Sequence, residues 1–342
     1  MAQARIAIVM PAYNAVREVE QSIPAALASL EQAGGGELLV VDPASTDGTG
    51  DAAERLGARV IRLPQREGPA RARNEGVDLI DAEIVVFIDS DCVANPDVVT
   101  RALAAFDADP NLISLTGSYD EHPPYRGFAS LYMNLRHHYT HQRAQREGAS
   151  FWAGLGVIRR SVFLDVGGFD AEQFPMPMIE DIELALRLKG RGRTALDPEL
   201  QVTHLKRWTI GSVIKTDIFS RALPWSKLIA ATGEMPNDLN LRTSQRIAAM
   251  VAPLALISTL LLPLLLIASY HRLAAATGIL IVLSLVLNAP MIAFFARRAG
   301  PFFAIFGWLF HQLHLTYSAV VFALVSIGAR LAPSKSSSLK AR

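Results

Sequence analysis

The feature that most limits how this chain can fold is a break in its composition near residue 240. Beyond it lie three apolar segments, roughly 247–270, 273–296 and 301–329, punctuated by Arg272 and the pair Arg297–Arg298. Each is at least as long as the ~20 residues that span a bilayer as a helix. Three such runs in succession, almost free of charge, argue for membrane-crossing helices over the core helices of a water-soluble domain. They also explain why hydrophobic residues reach 51% while charged residues stop at 19%.

Ahead of the break the pattern alternates between strand and helix. "RIAIVMP" is a β-rich run stopped by Pro11, and a helical pattern follows from about Arg17 to Gln32. "ELLVVDP" reads as a second strand ending in Asp42. "TGDAAERLG" is a short helix closed by Gly57, and "ARVIRL" is a third strand. "PARARNEGVDLI" is another helix, and "EIVVFIDSD" a continuous apolar strand that carries Asp89 and Asp91 at its end. Such alternation predicts an α/β domain with a mostly parallel sheet and helices on both faces. Ligands of these sheets sit beyond the carboxyl ends of the strands, so Asp42 and Asp89–Asp91 are expected on one rim.

A formal net charge of +1 gives no reason to expect nucleic acid as a partner. Cys92 is the only cysteine, which excludes an internal disulfide and suits a reducing compartment. The apolar stretch Ile6–Met10 is too short for a signal peptide, so the front domain is expected to remain in the cytosol. Between domain and spans, residues 207–230 mix Trp208, Val213, Ile214, Ile218 and Phe219 with Arg207, Lys215, Arg221 and Lys227. Rings and cations together suit the headgroup layer; packing on the front domain is the alternative.

Two acidic sites carry the local chemistry. Asp89 and Asp91, two apart at a strand end, are placed to offer oxygen ligands to one hard cation, Mg²⁺ or Mn²⁺. Glu180 and Asp181 open a helix backed by Leu184 and Leu188. They suit either a general base for an attacking hydroxyl or simple stabilisation of a helix N-terminus.

"IVMPAYNA", "VVDPASTDGT", "REGPARARNEG", "VFIDSDC", "RRSVFLDVGGFD" and "IEDIELALRLKGRG" occur in the order seen in family 2 glycosyltransferases, which this chain resembles over roughly residues 5–210. The resemblance implies the GT-A fold, a Rossmann-like domain that binds a nucleotide sugar, and an inverting single displacement. It implies that Pro11, Ala12 and Tyr13 line the base pocket, that Asp42 contacts the base, and that Arg73 or Asn74 lies near the donor. Asp91 would ligate the metal with Asp89 beside it, and Asp181 would be the base. Pro43 and Ala44 depart from the commoner pattern after the first Asp.

On the acceptor side, the small-residue stretch that includes Gly154 fits the family's acceptor segment. "HLKRW" resembles the Q-x-x-R-W motif of membrane-integrated members, among them polysaccharide synthases and ceramide glucosyltransferases. That likeness puts Trp208 beside the acceptor and Arg207 near the diphosphate, where its charge would stabilise the leaving group. His204 takes the Gln position, either as a further metal ligand or as a hydrogen-bonding group.

The expected organisation is a cytosolic catalytic domain over 1–206, an amphipathic interfacial segment over 207–246, spans over 247–329 and a disordered basic tail over 330–342. The expected activity is transfer of a sugar, from a UDP-sugar above all, to a hydroxyl of a membrane lipid or glycolipid. A hydroxyl acceptor needs a base where a phosphate acceptor does not. The alternatives are a processive polysaccharide synthase, a polyprenyl-phosphate glycosyltransferase and an inactive donor-binding scaffold. Three spans place the basic tail opposite the catalytic domain, against the positive-inside rule, unless the third segment is re-entrant or the spans pair differently. The polar cluster His311, Gln312, His314, Thr316, Tyr317 and Ser318 lies within that segment, where it would line a cavity or join helices.

Overall fold

The structure, a computed structural model, describes residues 4–148, 150–235 and 238–331. Most of the basic tail, residues 332–342, lies outside the described residues. The chain divides into two units, Met1–Ile210 with Asp238–Asn240, and Gly211–Asn237 with Leu241–Arg342.

The first unit is built on β1 (Ala4–Pro11), α1 (Val16–Gln32), β2 (Glu37–Asp42), α2 (Thr49–Arg55), β3 (Arg59–Arg62), α3 (Pro69–Asp78), β4 (Ala82–Ile88), β5 (Cys92–Ala94) and α4 (Val98–Ala108). It continues with β6 (Leu112–Tyr119), α5 (Phe128–Arg143), β7 (Leu155–Arg159), α6 (Arg160–Asp165), α7 (Glu180–Leu188) and β8 (Arg193–His204). The strands form one sheet in the order β3-β2-β1-β4-β7-β6-β8-β5.

Alternation along the central strand sorts the core into two layers. Ile6, Ile8 and Met10 pack with Val19, Ile23 and Leu30 of α1 and Val98 and Phe106 of α4. Ala7 and Val9 face the opposite layer, with Phe87, Phe163, Leu184 and Leu188. α3 starts on Pro69, whose fixed φ suits a first helical position. It lies close on the sheet because Gly76 has no side chain. A Cβ there would stand 2.5 Å from Val9 Cγ1.

The sheet is less parallel than the sequence pattern predicts. β3, β2, β1 and β4 are parallel, but β7 runs antiparallel to both β4 and β6, and β5 antiparallel to β8. Strand direction leaves no mark on a short apolar run. The loop that follows α5 returns the chain along the sheet, and "LGVIR" reads the same in either sense. β6 and β8 are parallel with an interruption, Thr116 opposite Leu196 and Ser118 opposite Gln201, so residues 197–200 bulge out opposite Gly117.

The second unit holds α8 (Ile210–Lys215), a π-helical turn (Thr216–Ala222), α9 (Leu223–Thr232), α10 (Thr243–Ile267), α11 (His271–Ala299) and α12 (Pro301–Leu331). The last three are long and apolar enough to cross a membrane. Over residues 210–232 Phe219 and Lys215 are exposed while Val213 and Asp217 are buried, an amphipathic arrangement. Trp208 does not share that exposed face: it is buried in the first unit, its backbone N–H donating to Ser130 Oγ at 2.8 Å.

Gln312, His314, Thr316 and Tyr317 of α12 are hydrogen-bonded inside their unit. Ser284 Oγ donates to Gln312 Oε1 at 2.8 Å, and Trp308 Nε1 donates to Ser284 Oγ at 3.2 Å. Tyr317 OH donates to Asp217 at 2.7 Å and lies 3.0 Å from His314 Nδ1. Paired this way, such groups join helices in an apolar medium.

Candidate active site

Asp89, Ser90 and Asp91 turn the chain out of β4 into β5, the turn being closed by Cys92 N–H donating to Asp89 C=O at 2.9 Å. β5 is only three residues long, yet it decides the composition of the site. It pairs with the end of β8 so that Cys92 lies opposite His204, and Leu205 N–H donates to Asp91 C=O at 2.7 Å. His204 Nε2 is thereby brought to 3.4 Å from Asp91 Oδ2. The donor atoms of Asp89, Asp91 and Cys92 lie within 4.8 Å of one another.

The chemistry of these donors fits a divalent cation such as Mn²⁺ or Mg²⁺, with the Asp89 and Asp91 carboxylates close together and the His204 imidazole beside Asp91. Burial opposes ionisation of Asp91, but the neighbouring His204, and then Lys206 and Cys92, outweigh it and hold the carboxyl at about 2. Cys92 is a poor fourth ligand. Burial, reinforced by Asp91 and Asp89, pushes its thiol well above the ordinary range, so it stays protonated.

Arg73 connects this cluster to the second pair of acids. It is 3% exposed, donates from Nη2 to Asp89 Oδ1 at 2.5 Å and from Nη1 to Glu180 Oε1 at 3.2 Å, and lies over the Phe169 ring. Its guanidinium is thus engaged by two carboxylates of the protein itself. Burial raises the pKa of Asp89, and Arg73 acts in the opposite sense.

Neighbouring Asn74 is a backbone clamp: Nδ2 donates to Phe169 C=O at 2.8 Å and Oδ1 accepts Phe169 N–H at 2.9 Å. Gly168 makes the clamp feasible. Its φ is +67°, and a Cβ there would sit 2.7 Å from Asn74 Oδ1.

Asp181 stands one residue into α7. Its Oδ1 accepts the Ile182 N–H at 2.8 Å and its Oδ2 the Ala153 N–H at 3.3 Å. Burial first, and then the adjacent Glu180 carboxylate, lift the Asp181 carboxyl to about 7. A carboxyl balanced near neutrality can take a proton from an attacking hydroxyl and release it again. Glu180 is bound to Arg73 and to the Met178 N–H at 2.9 Å, so of the pair it is the anchored member.

The residues expected at the nucleotide base lie at adjoining strand ends. Ala12 N–H donates to Val41 C=O at 2.9 Å, joining the ends of β1 and β2. Asp42 Oδ1 accepts the Ser45 N–H at 2.8 Å, and Asn14 Oδ1 accepts the Thr46 N–H at 2.9 Å. Asn14 and Ala44 both have positive φ, +47° and +62°, a conformation that costs energy for non-glycine residues. The Arg66 guanidinium lies over the Tyr13 ring at 4.8 Å.

The structure therefore unites Asp89, Asp91, His204, Arg73 and Glu180 in one network and brings Pro11, Ala12, Tyr13 and Asp42 together on the β1–β2 rim. Arg207 is exposed beyond the end of β8, outside that network. Gly154 gives space to the Trp152 indole, which a Cβ would meet at 2.4 Å. Sequence reasoning overlooks Tyr119, at the end of β6, which stacks on His204. It also overlooks Phe169 beneath Arg73. Tyr119 lies outside every motif, and Phe169, although within "RRSVFLDVGGFD", carries no local sign of this role; the register of β6 on β8 and the Asn74 clamp bring them in.

The sequence pattern of glycosyl transferase family 2 matches residues 7–167. An uncharacterized glycosyltransferase of Mycobacterium tuberculosis (strain H37Rv) is 29% identical over 185 residues, 52% of this chain and 79% of that protein. The glycosyltransferase AglE of Haloferax volcanii is 25% identical over 104 residues, 29% of this chain but only 34% of that protein's length. Among solved structures, a mannosyltransferase from Pyrobaculum calidifontis in complex with GDP-Man and Mn²⁺ superposes with a TM-score of 0.55 at 15% identity, covering 96% of this chain and 88% of that one. At that identity the likeness is one of fold: a GT-A domain followed by helices.

Proposed function

We propose that this chain, whose residues 7–167 match the pattern of glycosyl transferase family 2, moves a sugar, with inversion, from a nucleotide diphosphate donor to a hydroxyl of a membrane lipid or glycolipid. The observation that carries this reading is Asp181, a carboxyl lifted to about 7 and linked through Glu180 and Arg73 to Asp89.

In this mechanism Pro11, Ala12, Tyr13 and Asp42 hold the nucleotide base. Asp89, Asp91 and His204 would hold Mn²⁺ or Mg²⁺, which when bound neutralises the diphosphate. Arg73 sets the orientation of Asp89 and Glu180 instead of meeting the donor itself. The acceptor hydroxyl gives its proton to Asp181 as its oxygen attacks the anomeric carbon. The bond from that carbon to the diphosphate breaks on the opposite face, so the configuration inverts. Arg207 and Trp208 stand beyond His204 in sequence, on the acceptor side of this scheme. α10, α11 and α12 would keep the domain beside its acceptor, at the cytosolic face where nucleotide sugars are made.

The test is a transfer assay on membranes, with labelled UDP- and GDP-sugars and extracted lipids. A single labelled lipid that requires Mn²⁺ or Mg²⁺ and disappears in Asp181→Asn supports the reading. A labelled polymer would replace it with a processive synthase. Binding of a donor without transfer to any acceptor would replace it with a scaffold subunit.

A further inference from the structure

We propose that Tyr119 is a positioning residue of the metal centre: its ring fixes the plane of the His204 imidazole and so keeps Nε2 turned toward Asp91. The proposal rests on the reading of His204 as a metal ligand. A ligating imidazole must be held in one rotation, and proteins usually do this with a hydrogen bond to the other ring nitrogen. Among the described residues no hydrogen bond to His204 Nδ1 appears. What His204 has is a ring face: Tyr119 lies 4.2 Å away, centroid to centroid, at an interplanar angle of 11°.

The sheet produces this contact. Tyr119 is in register with Val202 on β8, and His204 follows two residues later on the same face, within diagonal reach of an aromatic ring. His204 cannot turn about χ2 without losing the stack, and the Tyr119 ring has little freedom to follow. It is 6% exposed, and Trp152 meets it edge-on at 4.6 Å and 81°. Its hydroxyl bonds the Cys92 side chain, and its backbone carbonyl is 2.8 Å from His138 Nδ1. On the far side of His204, Nε2 is 3.4 Å from Asp91 Oδ2. The imidazole is held between a fixed ring and the carboxylate with which it would share the ion.

The experiment uses the full chain in detergent with Mn²⁺ alone, read by binding titration and by the nitrogen coupling of bound Mn²⁺ in pulsed electron paramagnetic resonance. Wild-type protein should show coupling to one imidazole nitrogen, and His204→Ala should abolish it. If His204→Ala changes neither coupling nor affinity, the ligand reading itself is wrong.

Where His204→Ala does act, Tyr119 is decided separately. Tyr119→Met fills similar volume without a flat face and should weaken Mn²⁺ about tenfold or more, the loss typical when support to a ligating His is removed, with diminished nitrogen coupling. Tyr119→Phe should keep both, and Tyr119→Met should add nothing in a His204→Ala background. Unaltered affinity and coupling in Tyr119→Met would overturn the proposal. So would equal losses in Tyr119→Phe, which would assign the effect to the hydroxyl on Cys92. If Tyr119→Met does not fold, as judged by thermal unfolding without metal, Tyr119→Trp and Tyr119→Leu make the same contrast of flat ring against aliphatic chain.

Discussion

Arg73 is shared between Asp89 and Glu180, at 2.5 and 3.2 Å, so that one buried cation couples the carboxylate beside the candidate metal to the acid beside the candidate base. Removing it would leave two carboxylates facing each other with no positive charge between them. Arg73→Leu is expected to destabilise the first unit by about 3–5 kcal/mol, as when one partner of a buried ion pair is deleted. Chemical denaturation followed by tryptophan fluorescence measures this. Arg73→Lys should recover part of the stability but not the two-pronged geometry, because an ammonium has no planar fork.

The protonation of Asp181 predicts a pH profile. Only the carboxylate can act as base, so kcat/KM should rise with pH through about 7 with unit slope and then level off. Asp181→Asn should lower the rate by roughly 10²–10⁴ and remove that limb. Glu180→Gln removes a negative neighbour that raises the Asp181 pKa, so its limb should move to lower pH.

Stability should move in the opposite direction to activity. The folded-state pKa of Asp181 lies above its ordinary value of 3.8, so the folded chain binds the proton more tightly than the unfolded one. The resulting stabilisation is complete below about 4 and is lost as the pH rises through about 7. Asp181→Asn should therefore melt at a higher temperature than wild type at pH 8, and the advantage should vanish at pH 4. Differential scanning calorimetry at the two pH values checks the sign.

Gly168→Ala places a methyl group 2.7 Å from Asn74 Oδ1 at a φ of +67°. It should cost at least about 1 kcal/mol from backbone strain alone, and more if the clamp on Phe169 opens. Asn74→Ala should show a comparable loss, and the double variant less than the sum, because both changes act on the same contact. Urea unfolding of the four proteins tests this.

The parts of this molecule that were legible in the sequence are those set by local pattern. The run before Asp89 had to be a strand because it is continuously apolar, and Glu180 opens a helix because Leu184 and Leu188 recur at helical spacing. Helices α10, α11 and α12 follow from length and composition. What could not be read is what depends on register between distant segments. Nothing local in "CVA" announces a strand, yet its pairing with β8 brings His204 to Asp91. Arg73 belongs to a motif, but that its charge is used within the protein is visible only from Glu180, 107 residues away in the chain. Trp208 beside Lys206 and Arg207 has the look of a surface anchor, and only its bond to Ser130 shows it to be buried.

The interrupted pairing of β6 and β8 sorts the chain by its tolerance of added length. Residues 197–200 leave the ladder opposite a single glycine, so the segment already absorbs surplus chain. A peptide tag grafted there would lengthen a bulge and leave the strand on either side in step. One residue inserted between Gln201 and Thr203 would bring Thr203 opposite Cys92 and turn the imidazole to the other face of the sheet. Two sites a few residues apart on the same strand would thus answer the same edit in opposite ways, one as a silent graft and the other as a lesion at the candidate metal site.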